Sequence, residues 1–170
     1  MKMSYKNNAI SFLILHLIFS CTPKRETLFS RLSSEETQVT FTNLITESDS
    51  FNILTNEYIF NGGGVAVSDF NNDGLPDLFF TGNMVSNRLY LNKGELNFND
   101  ITEDSNLNST DLWSTGIAIA DVNADGLMDI YVCAAMYKEN RTNRLYINQG
   151  INDKGVPTFL EQAAAYGVND

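Results

Sequence analysis

Asp69-Phe70-Asn71-Asn72-Asp73-Gly74-Leu75-Pro76-Asp77 is written a second time, as Asp121-Val122-Asn123-Ala124-Asp125-Gly126-Leu127-Met128-Asp129. Both copies read D-x-N-x-D-G-L-x-D, and their first aspartates stand 52 positions apart. The pattern bears on two questions at once: whether the chain holds a hard cation, and whether it is built from repeats.

Calcium takes roughly six to eight oxygen ligands at about 2.3–2.6 Å, mostly carboxylates and carbonyls. Positions 1, 3 and 5 offer Asp69, Asn71 and Asp73 in the first copy, and Asp121, Asn123 and Asp125 in the second. Alternate spacing lets a curled backbone aim these side chains at one centre. Position 6 is Gly74 or Gly126, where a sharp turn needs φ > 0. Position 7, Leu75 or Leu127, offers its backbone carbonyl while the side chain faces the core. Asp77 or Asp129 at position 9 adds a closing carboxylate. The expected cofactor is Ca²⁺, about one ion per loop. Magnesium suits the pattern less well, because it demands a near-ideal octahedron and keeps its waters. The competing reading is a plain turn, since Asp, Asn and Gly all favour turns. A turn alone, however, does not need carboxylates at positions 1 and 9, and here they occur twice.

The loop is not an EF-hand, which carries glutamate at position 12 between two helices. Position 12 here is Phe80 or Val132. The flanks read as strands: Gly64–Ser68 before the first loop and Leu78–Thr81 after it, then Gly116–Ala120 and Ile130–Cys133 around the second. These are short apolar runs rich in β-branched and aromatic residues, bounded by turn formers. The match continues downstream. Asn87-Arg88-Leu89-Tyr90-Leu91-Asn92-Lys93-Gly94 answers Asn143-Arg144-Leu145-Tyr146-Ile147-Asn148-Gln149-Gly150, and the stretch from Phe98 answers that from Phe159 less closely. Each unit therefore predicts four short strands. The predicted fold class is all-β: two four-stranded antiparallel blades of an incomplete β-propeller, since units of about 40–50 residues suit propeller blades. The expected division is 41–110 for the first repeat and 111–170 for the second. Candidate core residues are Phe79, Tyr90, Trp113, Tyr131 and Tyr146. Arg88 and Arg144 precede strands, where each either pairs with a carboxylate or stays solvated or stacked.

These residues resemble the FG-GAP/VCBS repeats of integrin-like β-propellers. The run Gly62–Leu78 and the Trp113-Ser114-Thr115-Gly116 stretch are more similar still to the bacterial proteins grouped with cartilage acidic protein and the ASPIC/UnbV domain. The resemblance covers about Phe41 to Asp170. It implies structural Ca²⁺ at Asp69, Asn71, Asp73, Asp77, Asp121, Asn123, Asp125 and Asp129, with Leu75 and Leu127 giving carbonyls. Members of that group carry many blades, and a closed propeller needs at least about four. The expectation is thus an N-terminal fragment, whose partners include further blades of the same chain.

Lys2 and Lys6 form a basic start, followed by an apolar stretch from Ala9 to Phe19. This has signal-peptide length and is too short to span a membrane. Ile18-Phe19-Ser20-Cys21 resembles a bacterial lipobox, so residues 1–20 read as a lipoprotein signal peptide and Cys21 as the lipidated residue. An ordinary signal peptide or an N-terminal anchor is the alternative. Residues 21–40 read as a polar tether without helical or strand period, or, in their last residues, as a lead-in to the first strand. His16, the lone histidine, falls inside the signal segment.

The formal net charge is −10. Without residues 1–20 the chain has nine basic and 21 acidic residues, a net −12. Such a surface disfavours nucleic acid as a partner. Cys133 is then the sole unmodified cysteine, which rules out a disulfide framework and suggests a buried thiol. No nucleophile elbow or phosphate loop is present, so no catalytic residues are assigned and the chain is read as not an enzyme. The favoured function is a calcium-binding lipoprotein of the bacterial cell envelope, at the outer membrane or cell surface. Its propeller repeats would bind or scaffold a glycan or protein ligand in adhesion or nutrient uptake, with contact to the membrane through its lipid. The alternatives are the non-catalytic propeller portion of a polysaccharide-degrading enzyme, and a structural spacer.

Overall fold

The computed structural model describes residues 27–135 and 141–170. The proposed signal peptide, Cys21 and the start of the tether lie outside the described residues. Every element below belongs to one compact unit, residues 32–170.

Eight strands follow in chain order: β1 (Val65–Ser68), β2 (Asp77–Phe80), β3 (Arg88–Asn92), β4 (Phe98–Asp100), β5 (Ser114–Ala120), β6 (Asp129–Ala134), β7 (Arg144–Ile151) and β8 (Pro157–Glu161). They form two four-stranded sheets, ordered β1-β2-β3-β4 and β5-β6-β7-β8, with every neighbouring pair antiparallel. The two meanders are the predicted blades. Each aspartate-rich loop is the β1–β2 or β5–β6 connection. The registers match between copies: Leu78 lies opposite Tyr90 as Ile130 lies opposite Tyr146. The second copy is irregular in two places, between Ser114 and Ile117 and between Asn148 and Ile151.

Two short helices were not foreseen. Helix α1 (Ser34–Thr37) lies in the predicted tether. It is set by a capping box: the Ser33 amide donates to the Glu36 carboxylate at 2.8 Å, and the Glu36 amide donates to the Ser33 hydroxyl at 3.2 Å. Four residues are too few to show a period, so the legible signal was the Ser-x-x-Glu cap. Helix α2 (Ala163–Tyr166) follows β8 and ends on Gly167 at φ +69°.

Because side chains alternate along a strand, each sheet has two faces. Phe79, Leu89 and Leu91 on one face of the first sheet join Ile130, Val132 and Tyr146 of the second in a single hydrophobic cluster. The core therefore lies between the blades rather than inside either one. Gly64 sits at this boundary: a Cβ there would come within 2.8 Å of the Ile117 side chain. Polar bonds cross it too, from the Thr81 hydroxyl to the Thr115 carbonyl at 2.7 Å and from the Asn83 amide to the Ser114 carbonyl at 2.9 Å.

Phe79, Tyr90, Trp113 and Tyr146 are buried, as expected. Tyr131 is only half-buried. It lies on the face of the second sheet turned away from the first, among a smaller cluster of Leu145, Ile147 and Ala163. Cys133 is also half-buried rather than buried, on that same side of the strand alternation.

Leu89 lies at 0 % exposure in the shared cluster. Leu89→Ala should cost about 2–5 kcal/mol, a large share of the roughly 5–15 kcal/mol typical of a domain. Leu54→Ala, at a side chain 90 % exposed, should change stability by no more than about 0.5 kcal/mol. Urea midpoints of the two variants provide the comparison.

Candidate metal centre

Each loop is curled by its own side chains. Asp69 accepts from the Asp73 amide at 3.1 Å and from the Gly74 amide at 2.8 Å. Asp121 does the same for Asp125 and Gly126, at 3.1 and 2.9 Å. The Asn71 and Asn123 side-chain oxygens accept from the same Asp73 and Asp125 amides, at 3.3 and 3.1 Å. The oxygens of positions 1 and 3 are thus drawn to one point in both copies. Position 5 joins them: Asn71 donates to Asp73 at 2.8 Å, and Asn123 to Asp125 at 2.8 Å. The Asp73 and Asp125 carboxylates also accept from Leu75 and Leu127, each at 2.8 Å. Gly74 and Gly126 take the expected positive φ, +84° and +85°.

Position 4 had no assigned role, yet it is left-handed as well. Asn72 sits at φ +57° and Ala124 at +59°. Asn tolerates this region, whereas a side chain such as Ala is strained by it by roughly 1–2 kcal/mol. Asn72 also donates to the Gly126 carbonyl at 3.3 Å, linking the two loops.

Position 9 behaves differently from positions 1, 3 and 5. Asp77 is 0 % exposed and Asp129 1 %. One Asp77 oxygen accepts from the Phe70 amide and the other from the Asn92 amide, both at 2.9 Å. Asp129 accepts from Val122 at 2.9 Å and Asn148 at 2.8 Å. These carboxylates pin the start of each loop to the third strand of its blade, at the end of β3 and within β7. Asn92 and Asn148 extend the pin, each accepting from the glycine two residues on, at 2.9 Å. Asn148 reaches further and donates to the Phe70 carbonyl of the first blade at 3.0 Å. The repeated Asn-x-Gly of the sequence was the available signal for this pair.

Burial pushes the Asp77 carboxyl above its ordinary 3.8. The Asn92 and Phe70 amides oppose the rise, while the charges of Asp73 and Asp69 add to it. A carboxyl so raised holds its proton more firmly in the folded chain than in the unfolded one. Acidification through the raised value towards 3.8 therefore favours the fold at this group, the reverse of a salt-bridged aspartate.

The donor set fits a hard cation at Asp69, Asn71 and Asp73 and at Asp121, Asn123 and Asp125, where oxygens of positions 1 and 3 already converge. Leu75 and Leu127, which would add carbonyls, have half-buried side chains. Among the described residues, no three His, Cys, Asp or Glu side chains form a group that could hold a metal as they stand.

Both arginines have carboxylate partners. Arg144 meets Asp111 at 2.8 Å and Glu161 at 3.9 Å, and Arg88 meets Asp100 at 3.4 Å. Asp111 was not singled out in the sequence, because it lies in the connection between the blades, where no repeat counterpart marks it.

With this geometry in view, the sequence matches the FG-GAP-like repeat family over residues 69–132. That span runs from the first loop into β6 and takes in both loops. A stretch of 94 residues is 32 % identical to cartilage acidic protein 1 of Xenopus tropicalis. It covers 55 % of this chain and 14 % of that protein, so the chain corresponds to a small part of its curated relative. The two antiparallel four-stranded sheets accord with FG-GAP blades.

The structural weight of the buried position 9 against the exposed position 5 can be measured. In excess chelator, Asp77→Asn and Asp129→Asn should each lower stability by about 1–3 kcal/mol, because an NH₂ group would then face a buried amide. Asp73→Asn, at an exposed position, should change it by no more than about 0.5 kcal/mol. Urea denaturation of the three variants gives the ranking.

Proposed function

We propose that this chain is a calcium-binding module of a bacterial cell-envelope lipoprotein, whose propeller blades bind or scaffold a glycan or protein ligand. The observation that carries the calcium reading is the hydrogen-bonded cage, repeated bond for bond in two loops of different sequence at positions 2, 4 and 8. A cage of this kind gathers carboxylate and amide oxygens on a turn at an exposed edge. Each loop brings three aspartates, so one Ca²⁺ reduces its charge to −1. The FG-GAP-like match supports the blade architecture and a binding or scaffold role. The envelope reading rests on the basic start, the apolar run and Ser20-Cys21.

The same chemistry argues against catalysis by these blades. Beyond residue 16 the sequence offers no histidine. Burial pushes the Tyr146 phenol up to about 12, which keeps it neutral and unsuited to act as a base near neutral pH. The loop carboxylates are occupied by amides and, in this reading, by the cation.

Calorimetric titration of the chain with Ca²⁺ should show about two sites. Asp73→Asn should weaken one of them and leave the other intact. Excess chelator should lower the melting temperature, and an unchanged melting curve would remove the structural role for calcium.

A second measurement addresses the anchor. Expressed in a bacterial host, the wild-type chain should partition into detergent and Cys21→Ala into the aqueous phase. Aqueous partitioning of both would contradict lipidation.

A further inference from the structure

Three places in the sequence set a glycine directly after an Asn or Asp: Asn61-Gly62, Asp73-Gly74 and Asp125-Gly126. Each pair can close a five-membered ring between the glycine nitrogen and the preceding side-chain carbon. Glycine, without a Cβ, leaves that nitrogen unshielded.

The two loop pairs are held shut. The Gly74 nitrogen already donates to Asp69 at 2.8 Å, and the Gly126 nitrogen to Asp121 at 2.9 Å. Both oxygens of Asp73 accept, from Asn71 and Leu75 at 2.8 Å each, and both oxygens of Asp125 accept from Asn123 and Leu127 at 2.8 Å each. A carboxylate is also the poorer electrophile, because its charge repels a nucleophile.

Asn61 differs on every count. Its side chain is a neutral amide and is exposed. Among the described residues, neither that side chain nor the Gly62 N–H has a hydrogen-bond partner. Gly62 sits at φ +81°, and a Cβ there would meet nothing within 4 Å. The freedom ends at once: a Cβ on Gly63 would strike the Thr81 carbonyl, and one on Gly64 the Ile117 side chain.

The free pair borders a junction. The Gly62 carbonyl accepts from the Asn83 side chain at 3.3 Å. The same Asn83 amide donates to the Ser114 carbonyl of the second blade at 2.9 Å. Asn83 also exchanges bonds with Asn43, at 2.6 and 2.9 Å.

We propose that Asn61 is a site of self-modification, converted in the folded chain to isoaspartate and aspartate, and that isoaspartate there loosens the Asn83 junction. The Gly62 nitrogen attacks Cγ of Asn61. The new Cγ–N bond forms, the Cγ–Nδ2 bond breaks, and ammonia leaves with the Gly62 amide proton. Water, the sole co-reactant, then opens the succinimide at either carbonyl: its hydroxyl goes to the carbon and its proton to the nitrogen. Opening at the backbone carbonyl routes the chain through the former side chain. That adds a methylene before Gly62 and moves its carbonyl away from Asn83.

The full chain is held for days at physiological pH and temperature, then mapped by peptide mass and by labelling with an isoaspartate-specific methyltransferase. Position 61 should gain a carboxyl and the label, at a rate within about tenfold of that in the same chain unfolded in guanidinium chloride. Positions 73 and 125 should stay unlabelled in the folded chain. Asn61→Gln, which needs a six-membered ring, should react at least about tenfold more slowly; Asn61→Ser replaces it if that variant loses its β-sheet circular dichroism. The urea midpoint of wild type should fall as position 61 converts, while that of the variant stays constant. Asn61 surviving in the folded chain while it reacts in the unfolded one would overturn the proposal, as would label at position 73 or 125 as fast as at 61. An unchanged midpoint after full conversion would overturn the role of the junction.

Discussion

The buried carboxylate at position 9 is the constraint on which both blades depend. Asp77 holds the Phe70 amide at the start of its loop and the Asn92 amide at the end of β3. Its single side chain therefore fixes where the loop leaves β1 and how far β3 runs. Asp129 repeats the arrangement with Val122 and Asn148. A buried charge is expensive to desolvate. Charge-assisted bonds to two amides offset much of that cost, and the same amides would be unsatisfied without it. The pin also carries register between blades, because Asn148, held by Asp129, reaches the Phe70 carbonyl that neighbours Asp69.

That link matters because the larger core is shared between the two sheets. The shared cluster draws Phe79 and Leu89 from one sheet and Ile130 and Val132 from the other. Repeat proteins are stabilised in this way, each unit burying its apolar face against a neighbour. Apolar contact alone tolerates sliding. The bonds from Thr81, Asn83 and Asn148 to backbone carbonyls of the other blade resist it, because hydrogen bonds are directional.

The sequence announced the strands and loops because their signals are local and doubled. Gly74 and Gly126 mark the turn, and alternating Leu89-Tyr90-Leu91 and Leu145-Tyr146-Ile147 mark the third strands. What it hid depends on tertiary context. Tyr131 occupies the same register as Phe79, yet it is half-buried, on the face of the second sheet turned away from the first. The same context leaves Cys133 half-buried, although its strand looked like core. Asp77 and Asp129 looked equivalent to the other loop aspartates, since spacing alone does not reveal which carboxylate is sealed beneath a strand. Ala124 gave no hint of its left-handed backbone, which the loop imposes through the bonds around Asp121 and Asp125. Helix α1 was legible only as a cap, and Asp111 had no repeat partner to mark it.

The loop therefore divides its carboxylates by depth. Those at positions 1 and 5 lie towards solvent and accept hydrogen bonds from amides of their own turn. Position 9 lies beneath them, and in the first loop burial pushes the Asp77 carboxyl up, with the charges of Asp73 and Asp69 pushing it further. Positive charge brought to the outer pair would relieve the inner one, because it removes the like-charge part of that shift while leaving the two amide bonds in place. A cation at such a loop would act on the blade indirectly. In the first loop it would steady Asp77, which ties the loop to β3 through the Asn92 amide.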